Sequence, residues 1–535
     1  MQVPFFFSYD TEKEEGHVYA QTFSGTVYGI DGLLVTVEVD IANGLPQFEI
    51  VGLGGSAIKE ARDRVRAALR NSGYDFPMQR ITVNLAPADL RKEGSGFDLS
   101  IAIGILLASQ QIKQREENIF FLGELALDGT LRPVTGVLPI LLQAKKQGYT
   151  HVILPEANRE EASLVELQII PATTLHDIVR IWKEEQLDEH VANNQLHAHK
   201  ISLAEVAGEA PKPYDFSHVY GQTHVKRGLE VAAAGFHNVL LVGPPGSGKT
   251  MLANCLPTIM PELSMEEAYE VTKIYSIAGH LTRRSGLIQE RPFRAPHHTV
   301  TQAALVGGGN QIPRPGECSL AHGGILFLDE MPEFSRYVLE VLRQPIESGQ
   351  VTIGRSKQVF TYPARFLLVG SMNPCPCGYF GTREQKDCSC TPQQVQKYRS
   401  RLSGPLLDRI DIHLEVPRVS VEDMDRRNEE ESSSAIQLRI EQAKLIQEKR
   451  FSDRPHHPFN SGMNGRDIRS YIRLDKEARD MLRLAFEKMG LSARAYDRIL
   501  KVARTVADLE RSEQVEASHV AEAIRYRALD REILG

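Results

Sequence analysis

Residues 239–250 read Val-Leu-Leu-Val-Gly-Pro-Pro-Gly-Ser-Gly-Lys-Thr, and they define the architecture of the middle of the chain. The four apolar residues predict a buried strand, and the glycine-rich segment after it matches the eight-position pattern of a phosphate-binding loop. In such a loop glycines let backbone N–H groups surround phosphates, a lysine reaches the outer phosphates, and a hydroxyl supplies an oxygen to Mg²⁺. The predicted contacts are Gly243, Gly246, Ser247, Gly248, Lys249 and Thr250. The stretch therefore predicts a site for ATP and Mg²⁺.

Polar side chains follow two further apolar strand candidates. Gly-Gly-Ile-Leu-Phe-Leu precedes Asp329 and Glu330, an arrangement that places one carboxylate on Mg²⁺ and one beside the attacking water. The strand candidate 366–370 leads to Asn373, which either senses the γ-phosphate or forms an ordinary Asn-Pro turn. Arg409 follows a predicted helix end. It either reaches a neighbouring subunit's γ-phosphate as an arginine finger or forms a surface salt bridge, and its spacing leaves both open.

The composition is that of an ordinary globular protein, with 42% hydrophobic and 24% charged residues, which argues against a disordered, fibrous or membrane chain. A length of 535 residues requires several domains. The formal charge of −7 provides no positive field over the whole chain, so any contact with a polyanion has to be local. The start of the chain lacks the features of a secretory signal, and no apolar run has the length of a membrane helix. We therefore expect a cytoplasmic protein.

Periodicity and composition divide the chain into three folded regions and a linker. Residues 1–183 predict an α/β domain, 184–213 a polar linker, and 214–420 an α/β core with a parallel sheet. The core contains a cysteine-rich insertion at 375–390, and amphipathic patterns in 421–535 predict a helical lid. The predicted strands lie at 35–39, 80–85, 239–242, 325–328 and 366–370, and the predicted helices at 57–71, 98–110, 435–450, 476–489, 494–510 and 515–528.

Five further sequence motifs resemble those of one known family. They are Ile50-Val-Gly-Leu-Gly54, Asn84-Leu-Ala-Pro-Ala-Asp-Leu90, Arg294-Ala-Pro-His-His298, Gly370-Ser-Met-Asn-Pro-Cys-Pro-Cys-Gly378 and Ser492-Ala-Arg-Ala-Tyr-Asp-Arg498. With the nucleotide site, they resemble the YifB/ComM family of magnesium-chelatase-like AAA+ ATPases over nearly the whole chain. The resemblance implies a homo-hexameric ring ATPase, and a helicase that drives branch migration of DNA during natural transformation. It also implies that Arg409 is the arginine finger, Asn373 the sensor-1 residue, and Arg494 the sensor-2 arginine that closes over the γ-phosphate from the lid.

Residues 349–361 read Gly-Gln-Val-Thr-Ile-Gly-Arg-Ser-Lys-Gln-Val-Phe-Thr, two alternating runs around a turn, and predict a β-hairpin with Arg355 and Lys357 at its tip. In the ring ATPases that the chain resembles, a hairpin before sensor 1 points into the central pore. The resemblance therefore implies that these two cations contact the phosphates of single-stranded, duplex or branched DNA. Six copies would place roughly twelve positive charges in one channel. A solvated tip with ordinary charges is the alternative.

Four of the six cysteines lie close together in the sequence, as Cys375-Pro-Cys377 and Cys388-Ser-Cys390. Four thiolates that fold back on one another suit a tetrahedral Zn²⁺, and four protein ligands leave no open position for catalysis. We therefore expect a structural zinc that braces the loop after Asn373. Free thiols, reversible disulfides and another metal are the alternatives.

The N-terminal region resembles the α/β domain of the Lon proteases around residues 91–99 and 121–134. Lon-type catalysis needs a serine nucleophile activated by a lysine. In the alignment with Lon, the nucleophile position is Gly96 and the lysine position is Leu138. We therefore expect a Lon-protease-like domain without proteolytic activity that assists assembly or DNA binding.

Two functions from different classes fit these features. The first is an ATP-driven DNA motor that acts in homologous recombination of incoming DNA. The second is a metal-chelatase-type AAA+ motor subunit that remodels a partner protein. The ATPase core does not separate them, whereas the Lon-like N-terminal domain and the basic hairpin favour DNA.

Overall fold

The structure is a computed structural model, and it describes residues 17–52, 56–88, 94–115, 117–184, 187, 191, 200–201, 214–281, 286–309, 312–355, 358–381, 387–419, 430–453, 458–489 and 491–527. Most of the expected linker 184–213, and Lys357 of the expected hairpin tip, lie outside these residues. Within them, no helix combines the length and the apolar character needed to cross a membrane.

The chain divides into two units. The N-terminal unit comprises Met1–Lys200 and Tyr275–Leu287, and the C-terminal unit comprises Ile201–Ile274 and Ile288–Gly535. Residues 275–287 lie within the predicted core 214–420 but group with the N-terminal unit. Within that unit, Ser276 donates a hydrogen bond to the fully buried Glu161.

The N-terminal unit is built on one mixed sheet of seven strands. In spatial order these are Gln47–Val51, Arg80–Ala86, Asp31–Ala42, His17–Tyr28, Ile119–Phe121, His151–Pro155 and Gln168–Ala172. Asp31–Ala42 pairs antiparallel with both of its neighbours, and alternate residues along it are buried, which gives the strand one core face. The strands predicted at 35–39 and 80–85 are confirmed within longer elements.

The helices of this unit are Ser56–Asn71, Asp98–Ala108, Val137–Lys146, Arg159–Ala162 and Leu175–Lys183, and its short strands are Glu124–Leu125 and Leu131–Arg132. The strand Lys200–Ile201 crosses the boundary between the units. Every residue of Asp98–Ala108 is buried, so this helix has no polar face. Two of these helices confirm the predictions at 57–71 and 98–110, the second ending two residues early.

The core of the C-terminal unit is a parallel sheet of five strands. In spatial order they are Phe293–Arg294, Ile325–Leu328, Leu367–Met372, Val239–Val242 and Ile412–Glu415. The predictions for 239–242 and 325–328 are confirmed to the residue, because both are fully buried apolar runs with clear ends. Since all five strands are parallel, the loops that follow their carboxyl ends meet at one edge of the sheet, where ligands of such sheets bind.

The remaining helices from residue 214 onwards lie around this sheet and in the region predicted as a helical lid, and Met265–Ala278 and Leu287–Ile288 cross the boundary between the two units. The helices are Thr223–Gly235, Lys249–Cys255, Met265–Ala278, Gln302–Val306, Glu317–Leu320, Arg336–Val341, Arg343–Ser348, Pro392–Arg399, Gly404–Leu407, Ser433–Arg450, Gly465–Tyr471, Lys476–Met489, Ala493–Leu509 and Ala517–Arg525. Short strands are Leu287–Ile288, Gly307–Gly308 and Arg314–Pro315, and Gln350–Arg355 pairs with Gln358–Pro363. One continuous apolar core includes the strand residue Val239 and the lid residues Ile440 and Val506. The lid therefore packs directly on the α/β core of its unit.

Candidate nucleotide site

The loop after Val239–Val242 has the geometry of a phosphate cradle. Gly246 and Gly248 have φ angles of 77° and 87°, which side-chain-bearing residues rarely adopt. A β-carbon at Gly243 would lie 2.2 Å from the carbonyl oxygen of Val416, so only glycine fits there. The hydroxyl of Ser247 is buried and has no hydrogen-bond partner among the described residues. Helix Lys249–Cys255 begins directly after the loop and directs its N-terminal N–H groups towards it.

The ammonium group of Lys249 lies inside this loop. Its Nζ donates to the carbonyl oxygens of Gly243 at 2.8 Å and Pro244 at 2.9 Å, and to Oδ1 of Asn373 at 3.2 Å. Burial lowers the pKa of Lys249. The structure therefore brings the predicted sensor Asn373 into contact with the loop lysine across 124 residues of sequence.

The two acids after Ile325–Leu328 are held in different ways. The hydroxyl of Thr250 donates to Oδ2 of Asp329 at 3.0 Å, and hydroxyl and carboxylate oxygens are the ligands that Mg²⁺ prefers. Ser371 donates to the same carboxylate and accepts the backbone N–H of Glu330 at 3.0 Å. Glu330 has a φ of 50°, a left-handed conformation that is uncommon outside glycine and is found at functional sites. Thr250 and Asp329 therefore fit Mg²⁺, and Ser371 forms hydrogen bonds with both Asp329 and the backbone of Glu330.

Ser371 is a site residue that the sequence analysis missed. It is fully buried at the end of Leu367–Met372, two residues before Asn373. A hydroxyl at the end of an otherwise apolar strand, on the same side as a predicted sensor, is the signal that could have identified it.

Tyr398 is a second residue that sequence reasoning did not find. Burial raises the pKa of Tyr398 to about 12, and its hydroxyl accepts a hydrogen bond from the backbone of Asn373. It belongs to helix Pro392–Arg399, which the sequence does not link to the nucleotide site.

Arg409 is buried just beyond helix Gly404–Leu407, with a side chain that is 8% exposed. Its Nη1 donates to the carbonyl oxygen of Pro405 at 2.6 Å, and its Nη2 donates to a carboxylate oxygen of Glu347 in an ion pair. Its Nε is buried and has no acceptor among the described residues. The predicted finger is thus held within its own chain by one carboxylate.

The backbone at Arg409 is fixed by its neighbours. Its carbonyl oxygen accepts hydrogen bonds from Arg498 at 2.9 Å and from the side chain of Asn238 at 3.1 Å. Arg498 also forms an ion pair with the buried Asp411, which accepts the backbone N–H of Asn238 at 3.0 Å. Burial by itself would raise the pKa of Asp411, but Arg498 and His237 hold that pKa well below its usual value.

Arg494 lies in the first turn of Ala493–Leu509, four residues before Arg498 and on the same face of the helix. It is exposed, and its charge acts with that of Arg409 to lower the pKa of Glu347, for which the hydrogen bond from Arg409 is the largest cause. The structure therefore brings Arg494 close to Arg409 by way of Glu347. No described residue of the phosphate-binding loop forms a hydrogen bond with Arg494.

The four cysteines of the insertion form one group, the cysteine cluster. All four sulfur atoms lie within 4.8 Å of one another, with Cys375–Cys377 at 3.3 Å and Cys377–Cys388 at 3.6 Å. Cys375 is buried, and Cys390 completes the set. This spacing suits four thiolate ligands around a single ion.

The loop that carries the cysteine cluster rests on the phosphate-binding loop. A β-carbon at Gly378, whose φ is 88°, would lie 2.4 Å from Cδ of Pro245. Arg418 donates to the carbonyl oxygen of Pro245 at 3.1 Å and lies over the ring of Tyr379 at 5.8 Å. The cysteine loop and the nucleotide loop are therefore in direct contact.

The predicted hairpin is present, and we refer to Gln350–Arg355 with Gln358–Pro363 as the hairpin. The two strands pair antiparallel over six residues each, and Val351 and Phe360 are buried on its inner side. Arg355 is exposed at the last described residue of the first strand, whereas Lys357 lies outside the described residues. The hairpin falls between the strands that carry Asp329 and Asn373.

In the N-terminal unit, Gly96 and Leu138 occupy the positions where a Lon protease would have its catalytic serine and lysine, and for this reason we expect no proteolytic activity. Leu138 is fully buried, and Ser95, one residue before Gly96, donates its hydroxyl to Glu124. The Lon-like fold and its role stay a prediction.

Three family profiles match this chain. The family described as magnesium chelatase, subunit ChlI, matches residues 215–424. A second profile, described as subunit ChlI of Mg-chelatase, matches residues 37–158. A third, described as the C-terminal region of magnesium chelatase subunit ChlI, matches residues 430–527. Together these matches cover most of both units.

Individual relatives are similar over different lengths. The competence protein ComM of Haemophilus influenzae is 44% identical over 96% of this chain and 98% of its own length. The uncharacterised protein YifB of Escherichia coli is 42% identical over 94% of this chain and 96% of its own. The magnesium-chelatase 38 kDa subunit of Rhodobacter capsulatus is 26% identical over 31% of this chain and 53% of its own. The chain therefore belongs to the YifB/ComM family of magnesium-chelatase-like AAA+ proteins.

Proposed function

We propose that this protein is an ATP-driven, hexameric DNA motor that promotes branch migration, with helicase activity, during homologous recombination of incoming DNA. Membership of the family implies an ATPase that uses ATP and Mg²⁺. Family membership does not by itself imply movement of DNA, and that part of the function is our proposal. The observation that carries it is the hairpin, whose described tip residue Arg355 is exposed and which lies in the sequence between the strands that carry Asp329 and Asn373.

The proposed hydrolysis uses residues of two subunits. Lys249 binds the outer phosphates, and Thr250 and Asp329 hold Mg²⁺, which neutralises phosphate charge. Glu330 orients and deprotonates the attacking water, and Asn373 positions that water relative to the γ-phosphate. Two of the side-chain contacts that this chemistry needs are present within one chain, between Lys249 and Asn373 and between Thr250 and Asp329.

Arg409 and Arg494 supply the remaining charge from the neighbouring subunit. Both lie close to Glu347, and the ion pair that Arg409 forms there leaves it without contact to the phosphate-binding loop of its own chain. A guanidinium group that completes a neighbour's site stabilises the charge that develops on the γ-phosphate. Hydrolysis is then a property of the assembled ring, for which the family resemblance implies six subunits.

The DNA contact is proposed for the hairpin tip. Arg355, with Lys357 two residues later in the sequence, would neutralise DNA phosphates from the wall of a central pore. The name of the relative from Haemophilus influenzae, competence protein ComM, supports an activity on incoming DNA.

A metal-chelatase motor subunit is the second candidate function. The similarity to the 38 kDa chelatase subunit supports it, but that similarity covers only 31% of this chain. The relatives that match nearly the full length include the competence protein. We therefore favour the DNA motor.

The test is to give the purified protein ATP, Mg²⁺ and a synthetic four-way junction, and to measure phosphate release and strand exchange. We expect DNA to stimulate hydrolysis and the junction to move. The double variant Arg355→Ala/Lys357→Ala should lose the stimulation and keep basal hydrolysis. The matched control Arg479→Ala/Arg483→Ala removes two exposed cations from helix Lys476–Met489 and should behave as the wild type. Absence of both stimulation and strand exchange in the wild type would refute the motor.

We also propose that the cysteine cluster holds one structural Zn²⁺. Four sulfur atoms within 4.8 Å provide the complete ligand set of a closed zinc site. Bound there, the ion would fix the loop whose Gly378 packs on Pro245 of the phosphate-binding loop. Zinc would thus stabilise the nucleotide site from outside without taking part in the chemistry.

A further inference from the structure

Glu347 lies between Arg409, which we propose acts on the neighbouring subunit's γ-phosphate, and the hairpin, which we propose contacts DNA. It lies in the short helix Arg343–Ser348, and its carboxylate forms the ion pair with Arg409. After Gly349, the same segment continues into the first strand of the hairpin. One residue therefore connects the finger with the base of the element proposed to contact DNA.

The two partners of this ion pair differ in their freedom to move. The side chain of Arg409 is 8% exposed and that of Glu347 is 62% exposed. Among the described residues, the only ion pair of Arg409 is with Glu347, and its Nε lacks an acceptor. The guanidinium group is therefore confined with incomplete hydrogen bonding, while the carboxylate that holds it can withdraw into water at little cost.

A cavity and a glycine that can act as a hinge lie beside the ion pair of Arg409 and Glu347. A cavity of about 600 Å³ is lined by Arg409 and Glu347 and by Val351 and Thr352 of the hairpin. Gly349 joins the helix to the hairpin in a left-handed conformation, with a φ of 67°. A small rotation about this residue would move Glu347 relative to Arg409 without breaking the pairing of the hairpin strands.

We propose that Glu347 is a positioning residue that restrains Arg409 in the absence of DNA, and that DNA bound at the hairpin withdraws Glu347 and frees Arg409 for the neighbour's γ-phosphate. The inference rests on the proposed roles of Arg409 and the hairpin. A carboxylate and a γ-phosphate compete for the same guanidinium group, because both accept paired N–H donors in the same geometry. Removal of the carboxylate therefore shifts this competition towards the phosphate.

The mechanism predicts a specific change in kinetics. In the Glu347→Gln variant the finger loses its restraint, so kcat without DNA should rise about two- to fivefold, the range expected for loss of one exposed ion pair. The KM for ATP should stay unchanged, because Glu347 does not touch the phosphate-binding loop. Addition of the four-way junction should then give little further stimulation. Glu347→Asp keeps the charge and should retain most of the DNA response.

A matched control is available on the lid. Glu487 is 60% exposed and forms an ion pair with Arg483, so Glu487→Gln removes an equivalent charge and pair elsewhere. Glu487→Gln should show wild-type rates with and without DNA. If it reproduces the changes of Glu347→Gln, the effect is general electrostatics and the inference is wrong.

The remaining outcomes separate this inference from the proposed function. A fall in basal kcat for Glu347→Gln, or an unchanged rate, would show that Glu347 does not restrain the finger. The variant Arg409→Ala is measured in parallel. If Arg409→Ala lacks hydrolysis but Glu347→Gln shows no rise, only the present inference fails. If Arg409→Ala hydrolyses ATP normally, Arg409 is not a finger and both fail.

Discussion

The ion pair between Arg498 and Asp411 gives a test of how the backbone around Arg409 is held. Asp411 is buried, with a side chain that is 7% exposed, and Arg498 is 20% exposed. In Arg498→Met the carboxylate keeps the N–H of Asn238 at 3.0 Å but loses its main cationic partner. Breaking a buried pair by removing one partner costs about 3–5 kcal/mol, and the partial exposure of Arg498 indicates the lower end, about 3 kcal/mol. The double variant Arg498→Met/Asp411→Asn should recover most of this loss.

The loss of unfolding free energy in Arg498→Met should also depend on pH. In the wild type the pKa of Asp411 is held below its usual value, so its contribution is present above the ordinary pKa and is lost only in strong acid. Without Arg498 the largest influence that lowers this pKa is gone, so the pKa of Asp411 rises from its depressed value. The folded variant then takes up a proton at a higher pH than the folded wild type does. The deficit of Arg498→Met should therefore shrink as the pH falls into the acid range.

The two units allow an internal control in urea unfolding. Trp182, the single tryptophan of the sequence, is buried in the N-terminal unit, so its fluorescence reports on that unit. Circular dichroism at 222 nm reports on the helices of both. Arg498→Met should shift the circular dichroism transition and leave the fluorescence transition in place. A loss below about 1 kcal/mol at pH 7, the size of a surface ion pair, would refute the assignment of Asp411 as a buried, paired charge.

Three further predictions concern other sites. Glu330→Gln should reduce phosphate release at least about 100-fold and keep binding of a fluorescent ATP analogue, since the general base is lost and the phosphate contacts are not; normal turnover would exclude Glu330 as the base. Elemental analysis should find about one zinc per chain in the wild type and in the control Cys318→Ser, but none in Cys377→Ser; a wild type without zinc would contradict the site. Burial raises the pKa of Asp98 from 3.8 to about 6, so its protonated form favours the folded state. Between about pH 6 and pH 4 the wild type should gain up to about 3 kcal/mol over Asp98→Asn in unfolding followed by Trp182 fluorescence, and a constant difference would contradict the raised pKa.

The sequence predicted well those elements whose signal is local. The strands at 239–242 and 325–328 are short, fully buried apolar runs with glycine or acidic residues at their ends, and both match the structure to the residue. The hairpin is equally local, because its alternation and its turn lie within one short segment. The helix predicted at 435–450 begins at Ser433, since Ser432 caps it by accepting the N–H of Ala435. Three consecutive serines made that start ambiguous from the sequence.

What could not be predicted depends on contacts between distant segments. Glu347 and Arg409 are 62 residues apart, and nothing in either local pattern indicates that they pair. The position of Arg494 on a helix was predictable, but its proximity to Glu347 depends on how Arg498 docks the lid against Arg409. Ser371 was hidden for a similar reason, because its two partners follow a different strand. Side-chain geometry across the sheet edge thus required the three-dimensional structure.

The assignment of Tyr275–Leu287 to the N-terminal unit has a consequence for protein engineering. A fragment that stops at Lys200 would lack Ser276, which donates a hydrogen bond to the fully buried carboxyl group of Glu161. Loss of that donor leaves a buried polar group without one of its partners, which costs about 1–3 kcal/mol. Tyr275 and Leu287 of this segment are buried, and the complementary fragment from Ile201 onwards would carry them without the unit to which they belong. Neither half is therefore a transferable module, and a gene for the N-terminal unit alone has to graft this returning segment onto its end.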